Sequence, residues 1–183
     1  MKFLDHLEEW LIATLMGAAT IVIFIAVVHR YLSGFAIPVV QDYLLTLNTS
    51  WAQELTIYMF VWMAKFGAAY GVRTGIHVGV DVLINKMNPQ WRNKFVILGL
   101  LSGALFTGIV GTLGASFVWE MAHTDQTSAD MEIPMWWVYL AIPLGSYLMC
   151  FRFLQVTWNF IKTGELPKHD HAHVEGLDEE VKA

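Results

Sequence analysis

The chain has 183 residues, of which 56% are hydrophobic, 14% aromatic and only 15% charged, far more apolar than a soluble domain of this length requires. Its formal net charge of −5 and scattered lysines and arginines argue against nucleic acid, whose phosphates call for clustered cations. A single cysteine, Cys150, excludes a disulfide framework and a thiol-built zinc site, and it reads as a small core residue.

A helix crossing the bilayer needs about 20 consecutive, mostly apolar residues. Four segments meet that test, so the predicted fold is an all-α integral membrane protein, with residues 1–162 as one four-helix membrane domain. The first span runs from about Trp10 to Tyr31, with its charges only at the edges. Asp5, Glu8 and Glu9 precede it and no small-residue cleavage site follows it, so it reads as an uncleaved anchor rather than a signal peptide. The second span, about Trp51 to Val72, contains Glu54 and Lys65. Glu54 lies one turn inside, at the same end as Arg30 of span one, and a salt bridge between these two helices is expected. Lys65 lies eleven positions beyond Glu54, close to three full turns, and so on nearly the same helix face. It is about 12 Å from Arg73 along the axis, deep enough that snorkelling alone need not reach water. A contact with a partner or a lipid headgroup and a snorkelled lysine both remain open.

Gly75 to Trp91 carries Ile76, Val80, Leu83, Ile84 and Met87 at helix-like spacing, with His77, Asp81, Asn85 and Lys86 among them. A short amphipathic helix in the interface, a bent continuation of span two and an extended strand of alternating valines all fit. Asn88-Pro89 ends the element in each case. The third span, Phe95 to Trp119, is free of charge and places Gly99, Gly103, Thr107, Gly111 and Ala115 at every fourth position. Such a ridge of small residues lets another helix approach closely, either within the bundle or from a second membrane protein. A shorter version, Gly67 to Gly71, lies in span two. The fourth span, about Trp136 to Trp158, holds Pro143 and, near one end, Arg152. The tail 163–183, with His169, His171, His173 and a run of acids, reads as a disordered cytoplasmic end.

Trp10, Trp51, Trp119, Trp136, Trp137 and Trp158 stand at span ends, Trp91 just before span three, and Trp62 in mid-helix. That is the interfacial belt expected of tryptophan. Lysine and arginine are absent from 33–50 and from 120–134 but present as Arg73, Lys86, Arg92 and Lys94 in the middle loop and Lys162, Lys168 and Lys182 in the tail. The positive-inside rule then puts both termini in the cytoplasm.

No nucleophile with a base, Gly-rich phosphate loop or repeat of one half in the other is visible. Catalysis therefore has no foothold. Haem between membrane helices generally takes two axial ligands, and His29 is the only histidine within a span. A haem or quinone anchor of a respiratory complex is thus a weak reading. A small self-sufficient exporter would want an acid inside its first helix, and span one has none.

From about Leu7 to Lys162 the chain resembles the small membrane subunit, or Q subunit, of tripartite ATP-independent periplasmic (TRAP) transporters. Trp51, Glu54, Tyr58, Trp62, Gly67, Ala68, Arg73, Gly75, His77 and Asp81 match that family's W-x-x-E, G-A and R-x-G-x-H-x-x-x-D pattern. Ile133-Pro134, Trp137, Tyr139, Ile142-Pro143 and Gly145 form a second match. The first loop, with Pro38 and Asp42, is longer than in many members, and Lys65 stands where an apolar residue is common. The resemblance implies a non-catalytic scaffold without cofactor in the bacterial inner membrane. It would brace a large membrane subunit that carries the substrate and sodium sites and receives an organic anion from a periplasmic solute-binding protein. A C4-dicarboxylate is the first expectation and a sugar acid such as sialic acid the second. Candidate contacts with the partner or with membrane lipids are Arg30, Trp51, Glu54, Lys65, Gly67, Gly71, Arg73, His77 and Asp81, together with the ridge Gly99, Gly103, Thr107, Gly111 and Ala115.

Overall fold

A computed structural model of the chain describes residues 2–35, 38–75, 89–164 and 166. It contains helices α1 (Lys2–Leu32), α2 (Pro38–Thr46), α3 (Ser50–Thr74), α4 (Pro89–Met121), α5 (Met135–Tyr139) and α6 (Ala141–Thr163), and no strand among the described residues. Four helical stretches, His6–Leu32, Ser50–Thr74, Trp91–Met121 and Met135–Thr163, are long and apolar enough to cross a membrane. The helix or strand expected between spans two and three falls on 76–88, and most of the tail on 167–183, outside the described residues.

Local chemistry explains the helix ends. α3 ends at Gly75 and α6 at Gly164, both with positive φ (79° and 72°), where a glycine takes the left-handed turn without a Cβ clash. The Gly164 N–H closes the last turn of α6 onto the Phe160 carbonyl at 2.8 Å. The fourth span is broken between α5 and α6 because Pro143 has no N–H to give to the Tyr139 carbonyl. Leu140 and Leu144 still donate backwards, to Trp136 and Leu140, and keep the two pieces in line. α2, a helix of nine residues between spans one and two, was not foreseen, since it is too short to show a clear apolar period.

α1 packs along α3, α3 along α6, and α6 along α4, while α1 and α4 share no extended interface. The result is an open array rather than a closed ring. Its core sits between α3, α4 and α6, where Val72, Ala104, Phe153 and Val156 form one cluster and Val96 and Phe160 another. Cys150, expected in the core, is half-buried and packs against the first cluster from its edge. Alanines 19, 52, 69, 104 and 141 are buried, as suits helices that associate in lipid by close backbone approach. Large side chains such as Phe24, Leu105, Phe106 and Leu113 are exposed along the spans, a surface suited to acyl chains rather than water.

Candidate functional site

Polar groups gather at the two ends of the array. One end, the loop end, carries α2 and the connection 122–134. There Glu54, in the first turns of α3, reaches the connection between spans three and four. Its Oε1 accepts from the Tyr58 hydroxyl and from the Ala129 N–H at 3.2 Å, and its Oε2 accepts from the Asp130 and Met131 N–H groups, both at 2.9 Å. Three successive amides therefore converge on one carboxylate, a concave donor set that suits an anion. The turn is held in that shape by its own bonds, Ser128 N–H to the Ile133 carbonyl (2.8 Å) and Met135 N–H to the Gln126 carbonyl (3.0 Å). Glu132 takes a left-handed φ of 54° within it.

This corrects the expected Glu54 to Arg30 salt bridge. Arg30 is exposed and makes no ion pair among the described residues, and the carboxylate is satisfied by the turn instead. Charge-assisted bonds to fixed backbone amides need no long side chain to be ordered, which is why they prevail over an exposed arginine. His29, next to Arg30, ties the same end together: its Nε2–H donates to the Leu44 carbonyl at 3.0 Å, and Nδ1 lies 3.4 Å from the Thr49 hydroxyl. Glu54→Gln, which puts an amide donor where one carboxylate oxygen was, should open the 122–134 turn. Limited proteolysis is expected to cut it several times faster than in the parent, with the spans still protected.

The other end, the terminal end, holds the start of α1 and the ends of α3 and α6. Arg73 donates to Glu9 at 2.6 Å and lies over the Tyr70 ring at 4.8 Å, joining α3 to α1. Arg152 of α6 reaches Glu8 of α1, with Nη2 at 2.7 Å and Nε at 2.9 Å from the same carboxylate oxygen. Both side chains are 1% exposed, and Gln155 accepts from the arginine Nη1 at 2.7 Å. The pair was not singled out from sequence. The available signal was an arginine inside an apolar span with acids at the start of span one, since such a charge by default wants a buried partner.

The small-residue ridge faces α6. A Cβ on Gly103 would lie 2.8 Å from the Phe153 ring, and one on Gly111 would lie 2.9 Å from the Tyr147 ring. Thr107 between them is buried and returns its hydroxyl to the Gly103 carbonyl at 2.8 Å. Gly108 and Gly114, outside the four-residue spacing, also meet α6 or its start. Gly99 has open space around it, Ala115 is half-buried, and Trp51 is exposed. A Cβ on Gly67 or Gly71 would meet nothing within 4 Å, so the short ridge of span two is an open face. His77 and Asp81 lie outside the described residues.

The closest approach at any of the described glycines involves neither ridge. A Cβ on Gly145 of α6 would stand 2.6 Å from the Lys65 Cβ and 3.3–3.4 Å from Lys65 backbone atoms, so α3 and α6 nearly touch there. Lys65 is half-buried and makes no hydrogen bond or ion pair with a described residue. Among the described residues no three His, Cys, Asp or Glu side chains gather as a metal site. What the geometry does is fasten helices to one another and leave faces open.

A family model described as "Tripartite ATP-independent periplasmic transporters, DctQ component" matches residues 19–163. The chain is 55% identical, over 98% of its length and 87% of the relative's, to the C4-dicarboxylate TRAP transporter small permease protein DctQ of Rhodobacter capsulatus. It is 33% identical to the protein of the same description in Vibrio cholerae, over 94% of this chain and 78% of that one. It is also 31% identical to the sialic acid TRAP transporter permease protein SiaT of Haemophilus influenzae, where 90% of this chain covers 24% of the relative. With four apolar spans, it is a multi-pass protein of the inner membrane and a transporter component. The chain belongs to the DctQ family, the small membrane subunits of TRAP transporters.

Proposed function

We propose that this chain braces a separate large membrane subunit during sodium-driven uptake of an organic anion, and performs no chemistry itself. The observation that carries this is the relation to SiaT. A region similar to nearly all of this chain makes up about a quarter of that longer permease, and the remaining three quarters have no counterpart here. The missing portion is the natural place for the substrate and ion sites. A bracing role also agrees with a chain whose polar groups tie its own helices together and whose apolar faces are left open. A periplasmic solute-binding protein would deliver the anion. C4-dicarboxylate is the substrate class we favour, since the relatives in Rhodobacter capsulatus and Vibrio cholerae are described by it.

Both termini face the cytoplasm in this reading, with the loop end in the periplasm. Arg73, Lys94 and Lys162 support it, sitting at the terminal end against the rings of Tyr70, Trp91 and Trp158. Residues 1–162 then form the membrane domain and 163–183 a cytoplasmic tail. The test is co-expression with a large TRAP permease subunit from the same organism. The tagged chain should retain that permease in mild detergent, and only the pair, supplied with the binding protein, should take up succinate in proteoliposomes. Uptake by this chain alone would overturn the proposal.

A further inference from the structure

Charged side chains deep in a membrane span are costly and are kept where something answers them. Glu8 has Arg152, Glu9 has Arg73, and Glu54 has three amides and Tyr58. Lys65 is different, since none of the described residues bonds to its ammonium. It lies nine residues before the end of α3 and fifteen after its start, or about 13 Å and about 22 Å along the axis. Its stem spans only about 6 Å. The Cα–Cβ bond of a helical residue leans toward the helix N-terminus, here toward the farther end of the span. Neither headgroup layer is therefore in easy reach, and a phosphate is a poor answer to this charge. The stem is also held at its root, because Gly145 lets α6 close directly onto the Lys65 Cβ and backbone. A lysine rooted well inside the span, without a counter-charge among the described residues of its own chain, fits an acid brought by another protein.

We propose that Lys65 is a docking residue for the large membrane subunit, its ammonium pairing with an aspartate or glutamate carboxylate on one of that subunit's spans. This rests on the bracing role argued above. Lys65→Leu removes the charge but keeps an apolar stem at the crossing, and Lys65→Arg keeps the charge. In tagged pull-downs of the co-expressed pair, Lys65→Leu is expected to retain about tenfold less large subunit, and Lys65→Arg to stay within about twofold of the parent. The isolated Lys65→Leu chain should melt in detergent no lower than the parent. An apolar carbodiimide applied to the parent complex should yield a Lys65-to-carboxylate cross-link to the large subunit, identifiable by mass spectrometry.

Retention of the large subunit by Lys65→Leu at the parent level would overturn the inference and leave the bracing role standing. So would a lower melting point of the isolated Lys65→Leu chain, which would make the lysine part of internal packing. Loss of a bound phospholipid together with absence of the cross-link would assign the charge to a lipid instead. If the unaltered chain fails to retain the large subunit, the bracing role falls and the inference with it.

Discussion

Arg152→Leu with Glu8 left in place should lower the stability of the isolated chain by roughly 3–5 kcal/mol, the cost of stranding a buried charge. Glu8 and Arg152 are each 1% exposed, so neither water nor salt can take the place of the lost partner. The double replacement Glu8→Leu with Arg152→Leu should recover most of that loss, or exceed the parent, because it removes both desolvated charges together. Glu8 Oε2 already lacks a hydrogen-bond partner, so the native pair is incompletely satisfied and the double replacement has less to overcome. Thermal or chemical unfolding in one detergent, read by tryptophan fluorescence, gives the four stabilities of the cycle. A double loss equal to the sum of the two single losses would show that the ion pair is not what joins α1 to α6.

Gly145→Val is expected to be the most damaging of the glycine substitutions, at about 3 kcal/mol, the upper part of the range for overpacking. The added carbon meets the Lys65 Cβ at 2.6 Å and main-chain atoms of α3 at 3.3–3.4 Å, and backbone cannot swing aside as a side chain can. Gly103→Ala meets only the Phe153 ring, which can turn, and should cost less. Gly67→Ala meets nothing and should be neutral or stabilising by about 1 kcal/mol or less, as alanine is the better helix former. Unfolding midpoints of the three variants decide the order. A benign Gly145→Val would mean that α3 and α6 do not approach as closely as this crossing requires.

The four spans were legible because a bilayer imposes a length and a polarity that composition alone reveals. The helices run past the apolar spans read from hydropathy: Pro89–Met121 extends beyond Phe95 to Trp119, and Met135–Thr163, with a break, beyond Trp136 to Trp158. A hydropathy criterion registers the apolar middle, whereas backbone hydrogen bonding carries the helix on into the headgroup layer. Glu54 was recognised as a residue that matters, but its partners were not. Which turn meets which helix depends on loop shape over 75 residues of separation, and periodicity has no record of that. The ridge in span three was visible as spacing, and its companion α6 was one of two readings left open. Gly145 was noticed only as part of a family pattern, because a lone glycine facing a lysine has no signature in one dimension.

The neighbour order of the array has a bearing on how the protein is made. A chain leaving the ribosome releases its spans as α1, α3, α4 and α6. α1 and α3 are lasting neighbours and can pair as soon as both are inserted. α4 enters the bilayer before α6, its one extensive long-helix neighbour among the described residues, exists. Its glycine face must wait in lipid until the last span arrives and joins it to the earlier pair. An insertion factor that shelters unpaired spans would therefore be needed most in the interval between the third span and the fourth.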